Sequence, residues 1–337
     1  MRLSTSKPEK TVLKTITNDI LREDLAQFEQ KLQAQLSKQS EYLTDNEYEM
    51  YRRGKKLRPI LVLLFSRMVC GNEELLPEKC YKAAASIEML HVASLIHDDI
   101  IDNSDYRRSL PTVHNNRGIG SAIILGDMQF LQAVRGFVDV ISVQDDMELV
   151  QMVLDVAFDV SRGEMDEMLA PKTEDYEKMR QRYLKTIERK TATLMGLACE
   201  AGVILGGGKR SDSRRAGFFG RRVGLAFQIM DDVTDFIRSK NEAGKTGQTD
   251  LRNRTLSLPI ILALESAENS CLTDYMHNES AELTADVFNY VMVNGVCKAY
   301  EYARAYAQEA QEYLSFFPHN RYSECLKELL SEMVDKV

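Results

Sequence analysis

The sequence predicts an all-α fold built as one domain. Apolar residues recur at three- and four-residue steps from residue 17 onward, beginning with Ile20, Leu21, Leu25, Phe28 and Leu32. That spacing is typical of a helix with one buried face. Alternating runs of β-branched residues are nearly absent. The 7 prolines and 18 glycines stand mostly between the helical segments, where they interrupt the pattern.

The helical pattern covers most of the chain and leaves no linker that would separate two cores. We assign residues 1–45 to a leader and an N-terminal helix. Residues 46–337 form the main body, which shares one continuous core with residues 17–45. The predicted helices lie at residues 17–43, 59–70, 78–102, 119–142, 146–169, 174–205, 213–238, 256–267, 284–293, 297–315 and about 320–336.

Length, charge and cysteine usage exclude several classes of protein. A chain of 337 residues with 44% hydrophobic residues can bury a large core, and its net charge of −8 argues against a nucleic-acid partner. Its six cysteines show no CxxC spacing, so we expect reduced thiols in a cytoplasmic protein. No apolar run reaches the roughly 18 residues of a membrane span. The basic residues 1–17 leave a transit peptide as an alternative.

The most informative stretch is an acidic cluster at the end of a predicted helix. Asp98 and Asp102 are four residues apart and share one helical face, and Asp99 lies beside Asp98. Such a cluster is often only a solvated helix end. Here an apolar run precedes it, and Arg107 and Arg108 follow it. We therefore predict that carboxylates and arginines hold metal cations and an anionic ligand together.

A second acidic cluster follows another apolar run. Residues 224–236 read GLAFQIMDDVTDF and contain Asp231, Asp232 and Asp235. Two such clusters facing each other would hold several Mg²⁺ ions, which prefer a few carboxylates, water and phosphate oxygens. The sequence therefore predicts a diphosphate ligand.

A basic segment, YRRGKKLRP at residues 51–59, is the third candidate. Gly54 breaks the helical pattern, and Lys55, Lys56 and Arg58 crowd in front of Pro59, which begins the next helix. A solvated loop is one interpretation. Its position before an apolar helix favours the other, which is phosphate binding at a helix start.

Three further sites are less specific. Lys209 and Lys245 follow glycines, but neither has the glycine six residues earlier that a nucleotide-binding P-loop requires. Lys190 lies on an apolar helix, where it would need an anionic partner. Glu164 and Glu167 fit an exposed helix face as well as a substrate role.

Together these motifs resemble those of the trans-isoprenyl diphosphate synthases, the polyprenyl synthetase family, over roughly residues 50–337. The family motifs GGKRxRP, ExxHxxxLxHDDxxD and RRGxPTxH correspond to residues 53–59, 88–102 and 107–114. Its KT pair and its GxAFQIxDDxxD segment correspond to residues 190–191 and 224–235. The resemblance implies an isoprenoid-synthase-like helical bundle around a deep central cavity, usually in a homodimer.

The resemblance also implies a reaction, the Mg²⁺-dependent condensation of an allylic diphosphate with isopentenyl diphosphate, with three ions per site. The implied metal ligands are Asp98, Asp102, Asp231 and Asp235. The implied catalytic residues are Asp98, Asp99, Asp102, Arg107, Lys190, Thr191, Gln228, Asp231, Asp232 and Lys245. The implied ligands of isopentenyl diphosphate are Gly54, Lys55, Arg58, His91 and Arg108. We also expect a peripheral membrane contact that releases the lipid product.

Some positions depart from the family pattern. Arg53 replaces the first glycine of the basic motif and Ser109 the glycine after the arginine pair. Glu167 replaces the glutamine of a GExxQ stretch, and Thr255 replaces the lysine of a DLxxGK segment. We expect the adjacent Arg254 to supply the charge that Thr255 lacks. These changes keep a second interpretation open, a non-catalytic partner subunit of a heteromeric synthase.

Product length is predicted from two small residues. Ala93 and Ser94 stand five and four residues before Asp98, about one helical turn from it. Because neither would block a growing chain, we predict a medium- or long-chain all-trans polyprenyl diphosphate. A floor formed by another helix would instead give a short-chain synthase that makes geranylgeranyl or farnesyl diphosphate. A class I terpene cyclase is disfavoured because the second motif keeps three aspartates.

Overall fold

A computed structural model describes residues 11–71, 75–140, 147–169, 175–241, 249–266, 271–278 and 280–335. This described part of the chain is dominated by helices, as predicted. The helices of the first half are α1 Val12–Thr15, α2 Arg22–Ser37, α3 Asp45–Arg52, α4 Leu57–Cys70, α5 Glu78–Ile101, α6 Val113–Arg117, α7 Ile119–Val138 and α8 Met147–Met168. Those of the second half are α9 Tyr176–Ile187, α10 Thr193–Leu205, α11 Arg210–Asn241, α12 Thr249–Arg252, α13 Leu258–Glu265, α14 Cys271–His277, α15 Ala285–Val291, α16 Cys297–Leu314 and α17 Arg321–Val334.

Short irregular elements complete the description. Single π-helical turns lie at Ile16–Ile20, Glu188–Ala192 and Met292–Val296. A two-stranded antiparallel hairpin joins β1 Tyr106–Arg107 to β2 Leu110–Pro111. Within the described residues, no helix combines the length and the hydropathy needed to cross a membrane.

The chain divides into two compact units. The first comprises Met1–Ala157, Leu197–Gly217 and Leu314–Glu332, and the second comprises Phe158–Gly196, Phe218–Tyr313 and Met333–Val337. The single domain with one continuous core stays a prediction.

Helix α5 is the central element of the first unit, where it packs against α2, α4 and α7. Two glycines of α7 allow this helix to approach α5 closely. A Cβ added at Gly136 would lie 2.1 Å from Ser86 Oγ, and one added at Gly126 would lie 2.3 Å from His97 Nε2. A buried network joins α2 to α4, because Arg67 Nε and Nη2 donate to the two oxygens of Asp24 at 2.8 and 2.7 Å. Such bidentate pairs are well oriented. Tyr81 O–H of α5 donates to the same Asp24 at 2.8 Å, so the network also holds the helix that ends in the first acidic cluster.

In the second unit, the π-helical turn Glu188–Ala192 lies against two glycines. A Cβ added at Gly163 would lie 2.7 Å from Lys190 Cγ, and one added at Gly224 would lie 2.4 Å from Ala192 Cα. Both glycines belong to motifs identified in the sequence, and the structure shows that each one allows a neighbouring helix to approach the turn. The turn carries Lys190 and Thr191, in keeping with the frequent occurrence of π-turns at functional sites.

The sequence pattern missed several elements. Helix α3 is polar, and its start is fixed by a capping box in which Thr44 N–H donates to Glu47 Oε2 at 2.6 Å. The helix predicted at residues 174–205 is two helices joined by the π-helical turn. Apolar periodicity cannot reveal a polar capped helix or one extra residue in a turn.

Candidate active site

The first acidic cluster lies at the C-terminal end of α5, in the first unit. Arg107 donates from Nε to Asp99 Oδ1 at 2.6 Å and from Nη2 to Asp98 Oδ2 at 3.2 Å. The Asp99 side chain is 1% exposed, and its burial raises its pKa despite the arginine. Asp98 is half-buried and Asp102 is exposed. The structure thus anchors the middle aspartate and leaves its two neighbours more accessible.

The hairpin that carries the arginine pair has a turn at Arg108 and Ser109. Its register pairs Arg107 with Leu110, and both turn residues have positive φ, 52° and 63°, as in a type I′ turn. This conformation explains the glycine of the family pattern. Ser109 adopts it at a strain of about 1 kcal/mol.

The two arginine-containing loops of the first unit are joined reciprocally. Arg53 Nη1 donates to the carbonyl of Arg108 at 3.2 Å, and Arg108 Nη1 donates to the carbonyl of Arg53. Gly54 has φ +147°, and a Cβ there would lie 2.4 Å from Arg108 Nη1. The backbone conformation therefore favours glycine at position 54, and a Cβ there would displace the end of the Arg108 side chain.

These loops border a small pocket, which we call the arginine pocket. Arg53, Arg107 and Arg108 line it. The apolar side chains that complete it are Met50, Val92, Leu95 and Leu110. Three cationic side chains thus stand beside four apolar ones in the first unit.

Lys56 is committed to a buried ion pair. Its Nζ lies 3.0 Å from Glu88 Oε1, the two side chains are 11% and 6% exposed, and it also donates to the carbonyl of Tyr51. Sequence reasoning grouped Lys56 with its basic neighbours and missed this pair. The pair orients the segment between α3 and α4, and Lys55 beside it is exposed.

Arg58 and His91 lie on neighbouring elements, α4 and α5. Burial lowers the pKa of Arg58 to about 10, and its buried Nε has no hydrogen-bond partner among the described residues. Burial and the charges of Arg58 and Arg108 hold the pKa of His91 well below its usual range. His91 is therefore neutral at pH 7, with one donor and one acceptor nitrogen.

The second acidic cluster lies on α11, in the second unit, and its middle aspartate is also anchored. Tyr183 O–H donates to Asp232 Oδ2 at 2.6 Å, and Gln228 Nε2 donates to Asp232 Oδ1 at 3.3 Å. Thr191 Oγ1 in turn donates to Gln228 Oε1 at 3.1 Å. Burial raises the pKa of Asp232 to about 7. Sequence reasoning found three members of this network and missed Tyr183, which stands seven residues before Lys190.

The other aspartates of this cluster are more accessible. Asp231 is exposed, and half-buried Asp235 accepts the backbone N–H of Asp250 at 3.5 Å. Burial raises the pKa of Asp250 to about 6. The predicted catalytic residue Lys245 lies outside the described residues.

Lys190 has the anionic partners that its position required, and both are carboxylates of α8. Its Nζ lies 2.9 Å from Glu164 Oε2 and 2.7 Å from Glu167 Oε2. Glu167, which supplies the second carboxylate, is one of the departures from the family motif noted in the sequence.

Arg254 makes structural contacts, and its expected role in replacing the missing lysine charge stays a prediction. Its guanidinium donates to the carbonyls of Tyr275, Asn278 and Ala281 at 3.2, 3.0 and 3.1 Å. It also lies 4.5 Å from the ring centroid of Tyr275. These contacts hold the end of α14, while Thr255 is exposed.

The two residues chosen for product length differ in exposure. Ala93 is completely buried in the first unit. Ser94 is half-buried, and its Oγ donates to the carbonyl of His91 at 2.8 Å. Their role in product length stays a prediction.

In each unit by itself, the accessible carboxylates offer a divalent cation only part of a coordination shell. Asp98, Asp102, Asp231 and Asp235 offer the hard oxygen donors that Mg²⁺ prefers. Among the described residues, no group of three or more His, Cys, Asp or Glu side chains is arranged to hold a metal ion. Water and diphosphate oxygens would have to complete the shell, which is the usual situation for Mg²⁺.

Comparison with known proteins gives one consistent result. The sequence model of the polyprenyl synthetase family matches residues 35–291. A prenyl transferase from Cyanophora paradoxa is 31% identical over 297 residues, 87% of this chain and 88% of that one. Heptaprenyl diphosphate synthase component 2 from Geobacillus stearothermophilus is 29% identical over 314 residues, 92% and 94% of the two chains.

A solved structure extends the likeness to the fold. The geranylgeranyl pyrophosphate synthase from Corynebacterium glutamicum, complexed with calcium and isoprenyl diphosphate, superposes with a TM-score of 0.77. The two chains are 26% identical, and the match covers 94% of this chain and 96% of that one. The predicted all-α fold is thereby confirmed.

Proposed function

Since the chain belongs to the polyprenyl synthetase family, we propose that it is a Mg²⁺-dependent trans-prenyltransferase. It condenses an allylic diphosphate with isopentenyl diphosphate and makes a medium- or long-chain all-trans polyprenyl diphosphate. The observation that carries this proposal is the matched anchoring of the two aspartate motifs. Arg107 holds Asp99, and Tyr183 with Gln228 holds Asp232, so each motif presents its outer carboxylates from a fixed base.

In this proposal, the acidic and the basic residues have different functions. Asp98, Asp102, Asp231 and Asp235 bind the cations that carry the allylic diphosphate. Bound Mg²⁺ neutralises the departing pyrophosphate. Arg107, Lys190 and Lys245 add positive charge to the same leaving group.

A second group of residues holds isopentenyl diphosphate. Lys55, Arg58 and Arg108 bind its diphosphate, and the neutral His91 donates a hydrogen bond to it. The Gly54 backbone leaves space for Arg108. Held in this position, the double bond lies ready to attack the allylic carbon.

The reaction balances without a side-chain nucleophile. The allylic C–O bond breaks and its electron pair leaves with pyrophosphate. The double bond of isopentenyl diphosphate then forms the new C–C bond. A proton is lost from the adjacent carbon to the released pyrophosphate, and the product is one isoprene unit longer.

We propose a homodimer assembled through α7. Within the first unit this helix exposes several large apolar side chains, namely Ile119 at 57%, Ile124 at 59%, Leu131 at 67% and Val138 at 50%. An exposed apolar stripe of this kind usually marks a protein interface. Light scattering of the purified chain should give twice the 38.4 kDa mass, and Leu131→Glu should shift it toward the monomer.

A heteromeric enzyme is the second candidate, favoured by the relative that is one component of a heptaprenyl synthase. One experiment tests both. The purified chain is incubated with Mg²⁺, labelled isopentenyl diphosphate and each allylic starter, and the dephosphorylated lipids are sized. Products longer than twenty carbons support the main proposal. A stop at fifteen or twenty carbons gives a short-chain synthase, and folded protein without elongation favours the partner subunit.

A further inference from the structure

Arg53 occupies an unusual position for a residue that replaces glycine. It is the last residue before Gly54, and its backbone is extended, with φ −86° and ψ 124°. Any L-residue can adopt this conformation. The backbone therefore does not require glycine at position 53, and the side chain is free to take a role of its own.

That side chain lies in the arginine pocket, together with Arg107 and Arg108. Its Nε lies 3.3 Å from Glu49 Oε2, and its Nη1 donates to the carbonyl of Arg108. Among the described residues, its Nη2 has no further partner. One edge of the guanidinium is thus fixed, and the remaining donor is available to a ligand.

Carboxylates already pair with two of the three arginines of the pocket, Arg53 with Glu49 and Arg107 with two aspartates. Arg108 has no carboxylate partner among the described residues, and its guanidinium is held against the Arg53 carbonyl. Arg107 is already committed to Asp98 and Asp99. The reciprocal hydrogen bonds hold the two loops together, so an anion bound by Arg108 would lie close to Arg53.

We infer that Arg53 is an additional ligand of the diphosphate of isopentenyl diphosphate, which it binds together with Arg108. This inference rests on the proposed function. It adds a cation that the family motif does not supply at this position.

The test is calorimetric titration of the full-length protein with isopentenyl diphosphate and, separately, with inorganic pyrophosphate. Both titrations are made in EDTA, because metal-dependent binding at the aspartate motifs is then removed. We expect Arg53→Ala to weaken binding of both probes about three- to tenfold, the effect of one partly exposed charged hydrogen bond. Arg53→Lys should recover part of the loss, and the difference should shrink in high salt.

Arg52→Ala is the matched control. Arg52 precedes Arg53 and pairs with the same Glu49 at 2.9 Å, but it does not line the pocket. We expect its Kd to stay within twofold of the wild type. Equal losses in Arg52→Ala and Arg53→Ala would overturn the inference, because they would indicate a nonspecific field.

Arg53→Gln removes the positive charge and keeps a polar side chain, so it separates the effect of the charge from that of side-chain bulk. Weakening equal to that of Arg53→Ala supports direct binding, whereas wild-type affinity overturns it.

The proposed function is tested separately from this inference. If the wild type binds both probes but does not elongate any allylic starter with Mg²⁺, the proposed reaction is contradicted. The affinities of the Arg53 variants still show whether Arg53 binds the diphosphate. If the wild type binds neither probe, the inference fails as well.

Discussion

Lys190 Nζ lies 2.7 Å from Glu167 Oε2, and Glu164 contacts the same ammonium at 2.9 Å. Two carboxylates thus compete with any diphosphate for this cation. Glu164 belongs to the family pattern, whereas Glu167 stands where the family has glutamine. The second carboxylate therefore adds a negative charge beside Lys190.

The first prediction concerns that charge. Glu167→Gln should lower the KM for the allylic diphosphate about two- to threefold, because a half-exposed ion pair contributes roughly 0.5 kcal/mol. The KM for isopentenyl diphosphate should not change. Steady-state kinetics with each substrate varied in turn measures both. Glu177→Gln, an exposed acid paired with Arg180, is the control, and an unchanged or raised allylic KM would contradict the prediction.

The second prediction concerns the anchor of Asp232. Tyr183→Phe removes the hydroxyl that donates to Asp232 Oδ2 and leaves that oxygen buried with one donor fewer, at a cost of about 1–3 kcal/mol. We expect kcat to fall about tenfold, since roughly 1.4 kcal/mol of transition-state stabilisation corresponds to that factor. The Mg²⁺ concentration for half-maximal activity should rise.

Tyr176→Phe, two turns earlier on α9, provides the comparison and should keep wild-type kinetics. If Tyr183 has only a structural role, Tyr183→Phe should lower the melting temperature. The kcat of the folded protein and the Mg²⁺ dependence of its activity should then stay constant. That result would contradict the assignment of Tyr183 as a positioning residue.

The sequence was sufficient for the framework of the site. The apolar runs before Asp98 and Asp231 correctly indicated the helices α5 and α11, because buried faces leave a period that can be read directly. The positions of Gly54, Gly163 and Gly224 also had a physical reason, close approach of a neighbour.

The contacts inside the site were not predictable in the same way. Lys56 looks like any other cation of its segment, and its burial depends on Glu88, 32 residues away. Tyr183 reaches Asp232 across 49 residues. Such pairs arise from tertiary packing, which local propensity and spacing do not encode.

The third prediction follows from the contacts of Arg254. Arg254→Ala removes three hydrogen bonds to carbonyls and a contact with the Tyr275 ring, so the free energy of unfolding should fall by about 1–3 kcal/mol. The allylic KM should stay within twofold. Arg254→Lys should not restore stability, because one ammonium cannot match the planar donor geometry. Denaturant unfolding and steady-state kinetics measure the two quantities. A raised allylic KM at unchanged stability would support the expected role of Arg254 in substrate binding.

The last prediction concerns product length. Ser94 is half-buried, so Ser94→Phe should shorten the product with little change in stability. Ala93 is 0% exposed, so Ala93→Phe should shorten the product and also destabilise the protein by about 1–3 kcal/mol through overpacking. Sizing of the dephosphorylated lipids and thermal unfolding measure the two effects. Ala198→Phe, equally buried on α10, is the control for overpacking and should lower stability without changing product length. If Ala93→Phe and Ser94→Phe both fold and give the wild-type product, residues of another helix limit the chain length, and α5 does not determine it.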